Sequence, residues 1–256
     1  QDFRGFRINA ASFSADGTLL LVASDDEQLT IIDVENRKRI RRLDHDGYVT
    51  QLALSSDERF ALTVSERVTE SAVRTAATLW DLRSGEGQLL DKIVNRRDAD
   101  RGGSRTAPQR ITSASFDPSG RIAVVSRAAT DDQPAVVRTW EVDRVADAAQ
   151  GPAVAGVGST SDPGSGTRSD GQSYELPPIL GTAEVVLPID DQSLLTMNRN
   201  AAFRWDLSTS ELIKSYRAHA DLTEASFSFD GKYVATGSRS VKIWNAATGE
   251  SLAKLE

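Results

Sequence analysis

The sequence predicts an all-β fold built from five copies of a four-stranded antiparallel sheet. Short runs of alternating apolar and polar residues recur along the chain, and turn residues such as Asp-Gly separate them, which is typical of strands joined by hairpins. The same order of runs and turns returns about every 50 residues, and a small sheet with two faces to bury needs neighbouring copies to bury them.

The last segment, residues 222–256, shows the repeated unit most clearly. Its first run ends at Asp230-Gly231, and its third run ends at Trp244-Asn245. The four runs are residues 225–229, 233–236, 241–244 and 250–255. This unit therefore supplies the template with which the rest of the chain is compared.

The end of the third run recurs as Trp80-Asp81, Trp140-Glu141 and Trp205-Asp206, and Ile32-Asp33 takes its place in the first unit. This pattern resembles the WD40-repeat family, whose members are β-propellers with four-stranded blades of about 40–45 residues. The resemblance implies one array with blades at residues 8–43, 49–94, 111–180, 183–217 and 222–256. We expect these five blades to be a segment of a larger ring of about seven, with a closed five-bladed ring as the alternative.

The resemblance also implies roles for a set of structural residues. His45 and His219 match the family's Gly-His loops, so His45 is expected to face Thr63 or Ser65 and Trp80, and His219 to face Trp244 and Thr236 or Ser238. Asp26 matches the turn Asp that binds backbone. The structural positions are Asp26, His45, Trp80, Asp81, Trp140, Trp205, Asp206, His219 and Trp244.

Composition excludes several chemistries and disfavours others. The chain has 256 residues, no cysteine and a net charge of −7, so disulfides, thiol catalysis and cysteine zinc sites are excluded, and a general affinity for nucleic acid or acidic membranes is disfavoured. The sequence shows no secretory signal and no run long enough for a membrane helix, which favours the cytoplasm, and its start resembles a cut inside a longer protein.

Two insertions interrupt the repeats. Residues 95–110 contain five Arg and two Asp and predict a basic loop on the same rim as the extended 66–76 hairpin and residues 127–134. The candidate partner-binding residues on this rim are Arg67, Arg74, Arg96, Arg97, Arg101 and Arg105. Residues 144–172 predict a disordered insertion, followed by a fourth strand at 174–180.

The sequence contains no nucleophile elbow, phosphate loop or metal-binding motif, and it predicts no cofactor. The resemblance implies a non-catalytic scaffold that presents its rim to protein or peptide partners, including other domains of the same polypeptide. One alternative is a nucleic-acid-associated propeller that uses the Arg-rich loop or the basic run 37–42, although charge on an outer strand also blocks aggregation. Another is an enzyme or ligand sensor with a central site, near Glu184 and Glu224 on the predicted innermost strands.

Overall fold

The computed structural model describes residues 6–96, 109–117, 119–127, 135–149, 171–176, 185–188, 193–198, 200–206, 208–209, 211–217, 221–228 and 231–255. Within these residues, twenty β-strands form five four-stranded sheets, and each strand pairs antiparallel with the next one in the chain. The all-β fold class with five four-stranded antiparallel blades is therefore confirmed. We number the sheets as blades one to five in chain order.

The strand bounds of the first three blades are as follows. Blade one contains β1 (Ile8–Phe13), β2 (Leu19–Ser24), β3 (Gln28–Asp33) and β4 (Lys38–Asp44). Blade two contains β5 (Tyr48–Leu54), β6 (Phe60–Val68), β7 (Ala72–Asp81) and β8 (Gly87–Arg96). Blade three contains β9 (Ile111–Phe116), β10 (Ile122–Arg127), β11 (Ala135–Glu141) and β12 (Gln172–Leu176), with helix α1 (Val142–Ala149) between the last two.

The last two blades repeat this order. Blade four contains β13 (Val185–Pro188), β14 (Ser193–Met197), β15 (Ala201–Asp206) and β16 (Leu212–Arg217). Blade five contains β17 (Glu224–Phe227), β18 (Tyr233–Gly237), β19 (Val241–Asn245) and β20 (Ser251–Leu255).

The core consists of four apolar clusters, one between each pair of neighbouring blades. Strand alternation explains the division, because successive side chains point to opposite faces of a sheet. In blade four, Leu194 packs with Val124 and Val137 of blade three, whereas Leu195 packs with Ala225 and Val234 of blade five. Within the described residues, the five blades contact one another in sequence and do not close into a ring. A larger ring of about seven blades stays a prediction.

The predicted disordered insertion at 144–172 is wrong at both of its described ends. Residues 142–149 form α1, and Val142, Val145 and Ala146 are buried in the cluster between blades two and three. These three residues share one face of a helix at spacings of three and four, a period that a search for strand alternation does not detect. Strand β12 covers residues 172–176 rather than 174–180, and residues 150–170 and 177–180 lie outside the described part.

The outer strands of four blades carry a β-bulge. In blades one, four and five the extra residue sits opposite the step before the Trp position, and these residues are Ile40, Ile213 and Leu252. In blade two the bulge lies two residues earlier along the third strand, opposite Ala77 and Thr78, and the extra residue is Leu90. Ile40, Ile213 and Leu252 are 55%, 46% and 49% exposed, but Leu90 is 0% exposed. Leu90 belongs to the same apolar cluster as Val145 and Ala146, so the helix inserted in blade three covers the outer strand of blade two.

Candidate functional site

A buried polar group joins the loop before blade two to its central strands. The indole N–H of Trp80 donates to Thr63 Oγ1 at 3.0 Å and to His45 Nε2 at 3.1 Å, so the expected contact of His45 with Thr63 and Trp80 is present. His45 Nδ1 lies 3.0 Å from the carbonyl oxygen of Leu43. Because a carbonyl only accepts and an indole N–H only donates, the proton is on Nδ1 and Nε2 is the acceptor.

Burial lowers the pKa of His45 below its ordinary value of 6.5, although the Leu43 carbonyl and the Asp44 charge act in the opposite direction. The Nδ1–H of this imidazole is bound to a carbonyl and its Nε2 faces two hydrogen-bonding groups, so neither ring nitrogen is free to bind a metal or a substrate. The geometry therefore gives His45 a structural role.

The same Trp–Thr bond recurs in two other blades. Trp205 donates to Thr196 at 2.9 Å, and Trp244 donates to Thr236 at 2.9 Å. His219, which the sequence places beside Trp244, lies outside the described residues.

Blade three lacks this bond. In blade two, Trp80 stands opposite Ala61 and donates to Thr63, two positions after Ala61. In blade three, Trp140 stands opposite Ala123, so the same register places Val125 near its indole. Valine cannot accept, and the buried Nε1 of Trp140 has no hydrogen-bond partner among the described residues. An unpaired buried donor costs about 1–3 kcal/mol.

Acidic residues close the turns, as the sequence patterns indicate. Asp206 Oδ1 accepts from the backbone N–H and hydroxyl of Ser208, and the pKa of Asp206 is lowered by the Ser208 hydroxyl and by backbone N–H groups. Asp81 Oδ1 accepts from the backbone N–H of Arg83, while its Oδ2 pairs with Arg59 at 3.1 Å. Burial would raise the pKa of Asp81, but these bonds together lower it.

Two further acids lie at other strand ends: Asp26 in the turn between β2 and β3, and Glu141 at the end of β11. Asp26 Oδ1 accepts from the Ser24 hydroxyl and from the backbone N–H of Gln28 at 3.3 Å. Glu141 stands where Asp81 and Asp206 close a turn in other blades, and here the chain continues into α1 instead.

The β6–β7 hairpin extends the rim of blade two. Its strands have 9 and 10 residues, whereas the second and third strands of the other blades have 5 to 7. Arg67 and Arg74 stand opposite each other near the tip, and both side chains are nearly half exposed. Both face Asp46, whose carboxylate lies 2.6 Å from Arg67 and 3.8 Å from Arg74, so one acid already offsets part of their charge.

Four candidate arginines lie at the end of β8 or after it. Arg96 ends strand β8, and its side chain and residues Arg97, Arg101 and Arg105 lie outside the described part. The next arginine, Arg110, lies 3.6 Å from Glu66. Glu66 also accepts a hydrogen bond from the Tyr48 hydroxyl at 2.7 Å. Burial is the largest cause that raises the pKa of Tyr48 to about 12, and the contact with Glu66 is the second.

The comparisons with known proteins agree with the repeat pattern. The family model described as "WD domain, G-beta repeat" matches residues 2–33 and 210–245. The chain therefore contains WD40 repeats in these two segments. A search of curated proteins found no match. WD40 repeats generally mediate protein–protein interactions, and WD40 domains are typically non-catalytic.

The sequence does not predict a buried ion cluster that joins blades two and three. Asp91, on the outer strand of blade two, accepts from Arg127 and from Arg138 at 3.1 Å, and both arginines belong to blade three. The sequence places Arg127 on the partner-binding rim, but the structure turns its guanidinium onto Asp91. An acid directly after Leu89-Leu90 on a predicted strand is the signal that could have indicated a buried pair.

A cleft opens between blades one and two beside the WD40 loop that carries His45. Its volume is about 220 Å³, and its lining combines this loop with β6, β7 and β8. The side chains that matter for binding are Asp44, Asp46, Ser65, Arg74, Thr78 and Lys92. The described residues include no group of three or more potential metal ligands, and no helix among them is long and apolar enough to cross a membrane.

Proposed function

We propose that this WD40 chain is a non-catalytic scaffold that presents the rim of blade two to a protein partner. The main observation behind the proposal is the long β6–β7 hairpin, which carries two half-exposed arginines beyond the ends of the neighbouring sheets. Neighbouring blades packed through continuous apolar clusters hold such a hairpin in a fixed position, and a preorganised surface loses less entropy on binding.

The two exposed guanidinium groups of this rim suit acidic side chains of a partner. Arg67 and Arg74 share the carboxylate of Asp46, and Glu70 in the hairpin turn balances the second charge, so the tip offers two cationic donors rather than a net positive charge. Charges on an interface rim act mainly on association rate and specificity. Arg96, Arg97, Arg101 and Arg105 extend the same proposal to the segment that follows β8. The partner is either a separate protein or another domain of the same polypeptide.

The test compares charge-reversed variants in a cross-linking pull-down read by mass spectrometry. The double variant Arg67→Glu/Arg74→Glu should lose cross-links at residues 66–74 and bind the captured partner more than about tenfold more weakly. The matched control Lys38→Glu/Arg39→Glu has the same charge change on exposed residues of β4 and should bind normally. Circular dichroism checks that both variants are folded.

A second variant reverses Arg96, Arg97, Arg101 and Arg105 and asks whether the segment after β8 contributes. Capture that survives in the 67/74 variant and in this one would contradict the proposed rim. Recovery of nucleic acid that is released steeply by salt and lost in the Lys38/Arg39 control would favour the nucleic-acid alternative.

A further inference from the structure

We infer that the cleft between blades one and two binds an acidic side chain of the protein partner. This inference rests on the proposed scaffold function and names the chemistry of one contact within it. The cleft lies directly below the β6–β7 hairpin, since Arg74 belongs to both. A partner held by the hairpin tip would therefore pass over the mouth of the cleft.

The size of the cleft limits its occupant. Sites for cofactors and drug-sized ligands usually enclose about 300–1,000 Å³. At about 220 Å³, this cleft is smaller than that range and suits one or two amino-acid side chains.

The cleft contains cationic donors that make no hydrogen bond among the described residues. Both acids in the lining already accept hydrogen bonds, Asp44 from Gln28 at 2.8 Å and Asp46 from Arg67 at 2.6 Å. In contrast, Lys92 has no ion pair within the described part of the chain, and Arg74 approaches Asp46 only to 3.8 Å, beyond hydrogen-bond distance. Two cations with free donors favour a carboxylate occupant, because charge-assisted hydrogen bonds are the stronger class.

The floor of the cleft adds neutral groups rather than further charge. His45 donates its Nδ1–H to Leu43, and its Nε2 already accepts from Trp80. The hydroxyls of Ser65 and Thr78 line the same wall. The anion would therefore be held by Arg74 and Lys92 at the mouth, with hydroxyl groups beneath it.

The position of Lys92 favours a peptide segment over a free anion. Lys92 lies on β8, the outer strand of blade two, whose outer edge pairs with no strand in the described residues. Extended peptides can add to such an edge through main-chain hydrogen bonds. Val94 follows two positions later on the same face and is nearly half exposed, so it can contact an apolar residue two positions from the acid.

The test titrates the chain with the acetylated, amidated pentapeptide Val-Ser-Glu-Ser-Val, which has an apolar residue two positions from the acid in either direction. The indole N–H signals of the four tryptophans are followed by NMR, because Trp80 lines the cleft and the other three serve as internal controls. We expect a saturable shift of the Trp80 signal alone. The Val-Ser-Gln-Ser-Val peptide should bind about tenfold more weakly, the effect of losing one charge-assisted contact.

Variants of the cleft assign the contact. Lys92→Gln should weaken binding of the Glu peptide about tenfold. Lys38→Gln has the same charge change outside the cleft and should bind normally. A Trp80 signal that does not move, equal binding of the Glu and Gln peptides, or normal binding by Lys92→Gln would overturn the inference. Acetate that binds as tightly as the Glu peptide would also overturn it, because the site would then take a free anion.

The outcome for the cleft is separable from that for the scaffold. Lys92 is not among the rim residues reversed in the pull-down. Failure of the peptide titration, with partner capture still sensitive to Arg67 and Arg74, removes the cleft and leaves the scaffold. Peptide binding at the cleft, with no rim-dependent capture of a protein, removes the scaffold.

Discussion

At the scale of single residues, the repeats differ in whether a buried tryptophan finds its acceptor. Blades two, four and five pair a Trp with a Thr two positions beyond its cross-strand neighbour. Blade one has Ile32 in place of the Trp and Val22 in place of the Thr, so neither polar partner is present. Blade three keeps Trp140 but has Val125, and this mismatch leaves the buried indole N–H unpaired.

The substitution Val125→Thr should therefore stabilise the protein. A threonine is close to valine in shape and would give Trp140 the acceptor that Thr63 gives Trp80, raising the free energy of unfolding by about 1 kcal/mol. Chemical denaturation measures this change. The gain should vanish when the substitution is made in a Trp140→Phe background, and a gain of the same size there would show that the indole is not involved.

A second prediction follows from the burial of His45 and concerns the pH dependence of stability. Burial holds the pKa of His45 below 6.5 in the folded state. As the pH falls through about 6.5, the unfolded chain binds a proton at this histidine that the folded chain does not bind. The free energy of unfolding therefore decreases as the pH falls from about 6.5 toward the lower pKa of the folded state.

Denaturant midpoints for the wild type should fall more steeply between pH 7.5 and 5.5 than those of His45→Gln. All other ionisable groups are common to both proteins, so the difference between the two pH profiles isolates His45. Parallel pH profiles would contradict the buried neutral imidazole.

At the scale of secondary-structure elements, α1 replaces the turn that an Asp closes in other blades. It covers the bulge residue Leu90, whereas the bulge residues of blades one, four and five, which lie next to the Trp position, are about half exposed. An element inserted in one blade thus protects the outer strand of its neighbour.

Placing a charge on the buried face of α1 should separate it from blade two. Val145→Asp buries a carboxylate without a described partner and should lower the free energy of unfolding by about 3 kcal/mol. Arg144→Ala changes an exposed residue of the same helix and should stay within about 0.5 kcal/mol of the wild type. Equal effects of the two substitutions would contradict the packing of α1 on blade two.

At the scale of the whole molecule, the sequence predicts what is local and repeated. Strand alternation, turn residues and the recurring Trp-Asp pairs indicate five four-stranded sheets, because each signal lies within a few residues of the structure it specifies. The sequence misses α1, because three buried residues in a segment of small and polar residues resemble a linker. It also misses Asp91 with Arg127 and Arg138, since contacts between blades leave no periodic signal.

The rim of blade two also depends on contacts that the sequence does not predict. Sequence order brings Arg67 and Arg74 to one hairpin, but it does not reveal that Asp46, from the preceding loop, reaches both of them. It also does not reveal that Lys92 on β8 lines the same cleft as Arg74. The first fact depends on the path of the loop between blades one and two, and the second depends on the register of β7 and β8.

Hydrogen–deuterium exchange of the chain, with and without a partner isolated by cross-linking, tests the central claim most directly. The blade-two scaffold predicts that the partner slows exchange in the hairpin at residues 66–74 and in the loop at residues 44–47. Exchange in blades four and five should not change. Protection confined to the basic run 37–42 or to blade five, with the hairpin unaffected, would contradict it.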